Sequence, residues 1–200
     1  MVEISALQKE RASYKPKLPS ALKKGAIVSV KEGKKTSSSG EAPKIKTLFP
    51  NNFGNPVLTF SAMKDDCVLE APLNVGVILS GGQAPGGHNV IAGIFDGMKS
   101  AHKDSKLYGF LGGPSGLVDN KYKELSADII DEYRNTGGFD IIGSGRTKLE
   151  SDEQFEKAKQ NCEKLGIQAL VVIGGDDSNT NACLLAEYFL AHGIQIRIIG

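Results

Sequence analysis

The sequence predicts an α/β fold, a doubly wound parallel sheet with an N-terminal extension. Three observations carry that prediction. From residue 74 onward, short apolar runs without polar alternation recur at intervals, the pattern of strands buried on both faces. Helical stretches separate them, and alternation of this kind builds a parallel sheet through right-handed crossovers. Several of the runs end in glycine-rich loops that open directly into helices.

The elements follow in order. Residues 1–70 read as an arm and residues 71–200 as the α/β domain. In the arm, the Lys/Gly/Ser stretch from Lys31 to Gly40 reads as a flexible loop, with Ala26–Val30 and Val57–Phe60 as short edge strands. Asn74–Ser80 is a buried strand. A helix runs from about Asn89 to His102, with Val90, Ile94 and Met98 on one face. Lys106–Leu111 is the next strand, and Gly112–Gly116 is a turn. Ser126 caps a helix that reaches about Asn135 and ends at Gly137–Gly138. Phe139–Ile142 is a short strand. Ser151 and Gln154 form a capping box for a helix closed by Gly166. Gln168–Ile173 is a strand, Asn179 to about His192 a helix stopped by Gly193, and Gln195–Ile199 a final strand. Ligands of such sheets sit at the strands' C-terminal ends. The loops to watch therefore open at Gly81, Gly112, Ser144 and Gly174.

Composition narrows the function classes. Hydrophobic residues make up 40% and charged residues 24%, as in an ordinary globular domain. Aromatics are 6% and Trp is absent, which argues against a stacking platform for single-stranded nucleic acid. No apolar run reaches the roughly 20 residues that span a bilayer. The N-terminal segment has no signal-peptide core, and the three cysteines have no metal-like or redox-like spacing. A cytoplasmic protein is expected. Charge is uneven: residues 1–46 carry 11 Lys/Arg against 4 acids, a balance of +7, and the remainder 13 against 19, a balance of −6. A basic arm can bind nucleic acid or anionic membrane. Solvation, or docking on its own acidic domain, is the preferred reading, so neither partner is expected.

Three motifs carry the chemistry. Ser80–Asn89 (SGGQAPGGHN) follows a strand and opens a helix. Its backbone N–H groups and helix N-terminus favour an anion, and the alternative is a structural glycine turn. The loop is neither a dinucleotide fingerprint nor a P-loop, because no Gly-Lys-Ser/Thr closes it. Gly174–Asn181 (GGDDSNTN) repeats the strand-to-helix placement with two carboxylates. They are either helix-capping groups or, beside glycines, oxygen ligands for a hard cation such as Mg²⁺ that shares its shell with phosphate. Gly143–Lys148 (GSGRTK) offers a guanidinium and an ammonium, which are either simply exposed or forked onto phosphate oxygens. Two glycine loops, a carboxylate pair and an arginine on one rim are what phosphoryl transfer needs. His102 and His192 fall at helix C-termini, and His88 has no obvious metal partner.

At these residues the sequence resembles the phosphofructokinase superfamily, and more closely its long-chain diphosphate-dependent branch. The resemblance covers about residues 14–200 and rests on six segments: Tyr14–Pro19, Leu79–Asn89, Tyr108–Gly116, Tyr133–Asp140, Ser144–Lys148 and Ile173–Ala182. It implies a phosphofructokinase-like, Rossmann-like domain. It implies reversible, Mg²⁺-dependent transfer of a phosphoryl group from diphosphate to O1 of fructose 6-phosphate in glycolysis. A homo-oligomer, or a hetero-oligomer with a related subunit, goes with it. Carried over, Gly81, Gly82, Ser178 and Asn179 hold diphosphate, Arg146 contacts the transferred phosphoryl group as the catalytic residue, and Asp176 is the Mg²⁺ ligand. Asp177 stands where ATP-dependent relatives have glycine. A carboxylate ~4 Å from an ATP α-phosphate is repelled by ~4 kcal/mol at an effective dielectric of ~20, which selects the shorter donor. The competing readings are an ATP-dependent kinase of the same fold, disfavoured by Asp177, and a non-catalytic regulatory subunit, disfavoured by the intact Gly-Gly-Asp-Asp. In the family, the strand matching Gln195–Ile199 leads to a loop with the catalytic base, and the sugar-phosphate ligands follow. These lie beyond Gly200. The C-terminal part of the fold is therefore expected to be absent here and the isolated chain inactive.

Overall fold

The computed structural model describes residues 4–63, 67–83 and 85–200. Ala84, inside the first glycine-rich loop, lies outside them. The arm is more structured than its composition suggests. Helix α1 (Ala6–Ser13) starts on a capping box of Ser5 and Gln8. Strand β1 (Val28–Lys35) pairs antiparallel with β2 (Pro56–Ala62), and α2 (Ala42–Leu48) lies between them. The flexible loop expected from Lys31 is corrected here. Lys31 pairs with Thr59, Glu32 with Leu58 and Lys35 with Pro56. Main-chain pairing needs no apolar side chain, and an exposed ribbon tolerates lysines that read as loop.

The domain proper runs β3 (Asn74–Leu79), α3 (Gly87–Ala101), β4 (Lys106–Phe110), α4 (Pro114–Val118), β5 (Tyr122–Glu124), α5 (Ala127–Tyr133), α6 (Asp152–Lys164), β6 (Ala169–Ile173), α7 (Asp176–Ala191) and β7 (Arg197–Ile199). Sheet order is β5-β4-β3-β6-β7. β3 pairs parallel with β4 and β6, and β6 with β7, while β5 adds an antiparallel edge. β3 is central, so its successive side chains must be apolar toward both faces. Val77 enters a core with Ile91, Phe95 and Ile130, from α3 and α5. Ile78 enters the opposite core with Leu117, Phe155, Cys162 and Phe189, from α4, α6 and α7. Helices thus cover both faces, as the doubly wound reading requires. Burial pushes the Cys162 thiol up to about 12. Among the described residues no helix is long and apolar enough to cross a membrane.

Several boundaries differ from expectation. Phe139–Ile142 is not a strand. Gly143 N–H donates to Phe139 O at 2.9 Å, closing a turn, and Ile141 and Ile142 are apolar because the turn buries them. Gly112–Gly116 is not only a turn, since Pro114 at the first positions of α4 starts a helix. On α3 the buried stripe is Ile91, Phe95 and Met98, and Val90 is 45% exposed. Ser126 occupies the N-cap of α5 without a side-chain bond, and the helix stops at Tyr133. Helix α7 begins at Asp176 rather than Asn179, and the last strand is only Arg197–Ile199. The Ser151–Gln154 capping box forms as expected, and Gly166 follows the C-cap Leu165.

Candidate active site

The C-terminal ends of β3 and β6 set the site. Beyond β3 the sheet continues for one residue: Ser80 N–H donates to Ile173 O at 2.8 Å, and Ser80 forms a parallel bridge with Gly145. Gly81 N–H then donates to Gly145 O at 2.8 Å. These bonds bring the first glycine loop beside the Arg146 loop. Gly81 has φ 99°, in the left-handed region that favours glycine. Gly174 is required for a different reason: a Cβ there would lie 2.5 Å from the Ser178 side chain and from Ser80 O. The β6–α7 loop can therefore press against the β3 loop.

Three of the four predicted loops meet in one cleft of about 540 Å³. Gly81, Gly82, Arg146, Asp176, Asp177 and Ser178 all line it. The guanidinium crosses Gly82, where an added Cβ would lie 3.0 Å from Arg146 Nη2. Asp176 and Asp177 occupy the first turn of α7, both exposed, while Ser178 beneath them is buried. The loop at Gly112 does not line the cleft. It buttresses the Arg146 loop from behind, through Gly112 N–H to Ile142 O at 2.8 Å. Asn179, expected to hold diphosphate, does not line the cleft either. Its Nδ2 donates to Gly174 O and Gly175 O at 3.2 and 2.9 Å, so it closes the glycine loop on itself.

Two contacts were missed by sequence reasoning. Lys148 Nζ lies 3.3 Å from Asp177 Oδ2. Asp177 therefore does not face the cleft as an unopposed charge, although a pair this exposed is worth at most ~1 kcal/mol. Asn181 Oδ1 accepts from Leu149 N–H at 3.0 Å, and its Nδ2 donates to Leu149 O at 2.7 Å. This two-way clamp fastens the Arg146–Lys148 loop to α7. The available signal was the second Asn of GGDDSNTN, one helical turn beyond the aspartates. A second cleft, of about 560 Å³, shares Arg146 and is lined also by Gln83, Pro85, Gly86, Gly87, Phe139 and Ser144.

Among the described residues no cluster of three His, Cys, Asp or Glu is preformed for a metal. The donor chemistry still suits Mg²⁺, which is held by one or two carboxylates with phosphate oxygens and water completing its shell. Asp176, with no ion pair among the described residues, has the free carboxylate for it. His102 and His192 sit at the C-caps of α3 and α7 as expected.

Comparison with known proteins gives the family and the fold. The family model described as Phosphofructokinase matches residues 74–200. The chain is 56% identical over 196 residues to a pyrophosphate–fructose 6-phosphate 1-phosphotransferase of Porphyromonas gingivalis, covering 98% of this chain and 35% of that protein. It is 50% identical over 208 residues to the enzyme of the same name from Treponema pallidum, covering 100% and 36%. The corresponding plant proteins are named as subunits: identity is 49% to subunit beta 1 of Arabidopsis thaliana and 37% to subunit alpha 1. The pyrophosphate-dependent phosphofructokinase structure from Nitrosospira multiformis shares the fold, with a TM-score of 0.58 at 20% identity over 64% of this chain and 33% of that one. The chain spans about a third of the length of the curated relatives it matches.

Proposed function

This chain belongs to the phosphofructokinase family, and from that premise we propose that it builds the donor side of a diphosphate-dependent phosphotransferase. The acceptor is fructose 6-phosphate. Its O1 attacks one phosphorus of diphosphate, the bridging P–O bond breaks, inorganic phosphate leaves, and the hydroxyl proton passes to a base. The products are fructose 1,6-bisphosphate and phosphate, and the reaction is reversible. Arg146 carries the assignment, because its guanidinium crosses Gly82 in the same cleft as Asp176. A guanidinium there forks onto the transferring phosphoryl group, and the backbone at Gly81 and Gly82 cradles the rest. Asp176 holds Mg²⁺, which neutralises charge on the diphosphate when bound. Asp177 narrows the donor choice, and Lys148 sets how far its charge reaches the cleft.

The same reading carries glycolysis as the setting and the cytoplasm as the compartment. It carries assembly as a homo-oligomer or with a related subunit, which the subunit names of the plant relatives support. Calorimetric titration of the full chain with Mg²⁺ present tests the donor assignment. Diphosphate is expected to bind more tightly than ATP, and Arg146→Ala to weaken diphosphate about tenfold to a hundredfold, as for a lost charge-assisted contact. ATP binding as tightly as diphosphate would refute it.

A further inference from the structure

Donor binding leaves two features unused. His88, directly after Gly86–Gly87, is only 3% exposed. The motif Tyr133–Asp140 lines no part of the first cleft. The structure brings the two together. His88 N–H donates to Gly138 O at 2.9 Å. Its Nδ1 lies 2.7 Å from Thr136 Oγ1. The Thr136 hydroxyl hydrogen is committed to Tyr133 O at 2.6 Å, so its oxygen accepts and His88 Nδ1 carries the proton. Nε2 is then a lone pair, and it accepts Ile141 N–H at 3.1 Å. The ring fits because Gly138 lacks a side chain: a Cβ there would lie 2.9 Å from His88 Cε1. Tyr133 meets the ring edge-on, with centroids 4.9 Å apart.

Position gives this network its meaning. The chain leaves Ile141–Ile142, turns at Gly143 and becomes the Gly145–Arg146 loop. On the other side, His88 stands in the first turn of α3, at the end of the Gly81–Gly87 loop. Gly87 and Phe139 both line the second cleft beside Arg146. One imidazole thus ties the segment leading into Arg146 to the segment leaving Gly82.

We propose that His88 is a positioning residue: as a neutral imidazole it holds the two donor loops at their working separation, and a proton on Nε2 releases them. This rests on the function proposed above. Two partners compete at Nε2. Asp140 Oδ1 lies 3.0 Å from it, on a carboxylate 73% exposed. The neutral ring accepts Ile141 N–H and takes nothing from Asp140. The protonated ring donates to Asp140, and Ile141 N–H loses its acceptor. Among the described residues, the charged group facing the ring is Asp140, from the turn, and the other titratable one is Tyr133, from α5. Burial lowers the imidazole below its ordinary 6.5, and Asp140 partly opposes that. The sign follows: the tie is intact above 6.5 and is lost as pH falls through the lowered value.

The test compares wild type, His88→Gln and His88→Asn as full chains. Gln carries an acceptor at the Nε2 position, while Asn mimics only Nδ1–H. Nitrogen-15 shifts of the ring and of the Ile141 amide are followed between about pH 5 and 8, alongside calorimetric binding of diphosphate. In wild type the Ile141 amide should move with the midpoint of the ring. The ratio of wild-type to Gln affinity, which cancels diphosphate's own titration, should fall about tenfold across that midpoint. At about pH 7.5, where the ring is neutral, Gln should bind within a few-fold of wild type and Asn about tenfold more weakly. An Ile141 amide that ignores the ring's titration, or Gln and Asn variants that bind alike, overturns the proposal. If Ile141 follows the ring but wild type binds no diphosphate at any pH, the tie between the loops stands and the donor assignment fails instead.

Discussion

Asp176 and Asp177 are neighbours in sequence with different surroundings. Both sit in the first turn of α7, where a negative charge favours the helix dipole by ~0.3–1 kcal/mol. Only Asp177 is tied to Lys148. Asp176 has no ion pair among the described residues, and Asp177 presents a carboxylate partly offset by an ammonium. Paired substitutions separate the two roles. Asp176→Asn should abolish the gain in diphosphate affinity that Mg²⁺ confers. Asp177→Gly should keep that gain and admit ATP weakly. Calorimetry at varied Mg²⁺ reads both, and a Mg²⁺ response surviving in Asp176→Asn removes the metal assignment. The sequence exposed both aspartates through their glycine neighbours. It did not expose the pairing of Asp177 with Lys148, because an ion pair between a loop and a helix depends on how the chain folds back, which spacing does not encode.

At the scale of elements, the parallel strands of the central sheet were legible, while the antiparallel edge strand β5 and several connections were not. β3 and β4 are buried on both faces and β6 is buried on one and half-buried on the other, so apolar runs marked them. Phe139, Ile141 and Ile142, interrupted by Asp140, carry a similar apolar signal for a different reason, a turn whose isoleucines share a core with α3 and α5. A short apolar run cannot tell these apart. The start of α7 was placed three residues late because Asp and Ser read as caps. In the structure Gly175 is the N-cap, and the aspartates are helical. That shift places Asn181 where it clamps Leu149. Asn181→Leu removes both bonds of the clamp and should leave the Arg146 loop unfastened. Diphosphate affinity should drop about tenfold, with unfolding free energy reduced by only ~1–2 kcal/mol. Equal affinity in the variant and wild type would show that the loop keeps its place without the clamp.

At the scale of the molecule, the arm is part of the fold's support rather than a loose basic tail. Asn135 Nδ2 donates to Arg11 O at 2.7 Å and to Tyr14 O at 3.2 Å. Glu187 on α7 accepts from Asn51 N–H at 2.9 Å, and from Asn52 N–H and Nδ2 at 3.1 and 2.8 Å. The arm thus grips α7, the helix whose first turn carries the aspartates. These bonds run through asparagines and a glutamate rather than lysines, so the charge asymmetry of the sequence, which left solvation and docking both open, did not show the means. Around the sheet, β3 and β6 end on one rim, and three loops from that rim converge on Arg146. The most direct test of this convergence is a residue-by-residue amide titration of the full chain with Mg²⁺ and diphosphate. The largest shifts should fall at Gly81, Gly82, Arg146–Lys148 and Asp176–Ser178. Shifts centred on the arm or at Gly112–Gly116, with those residues unmoved, would contradict it.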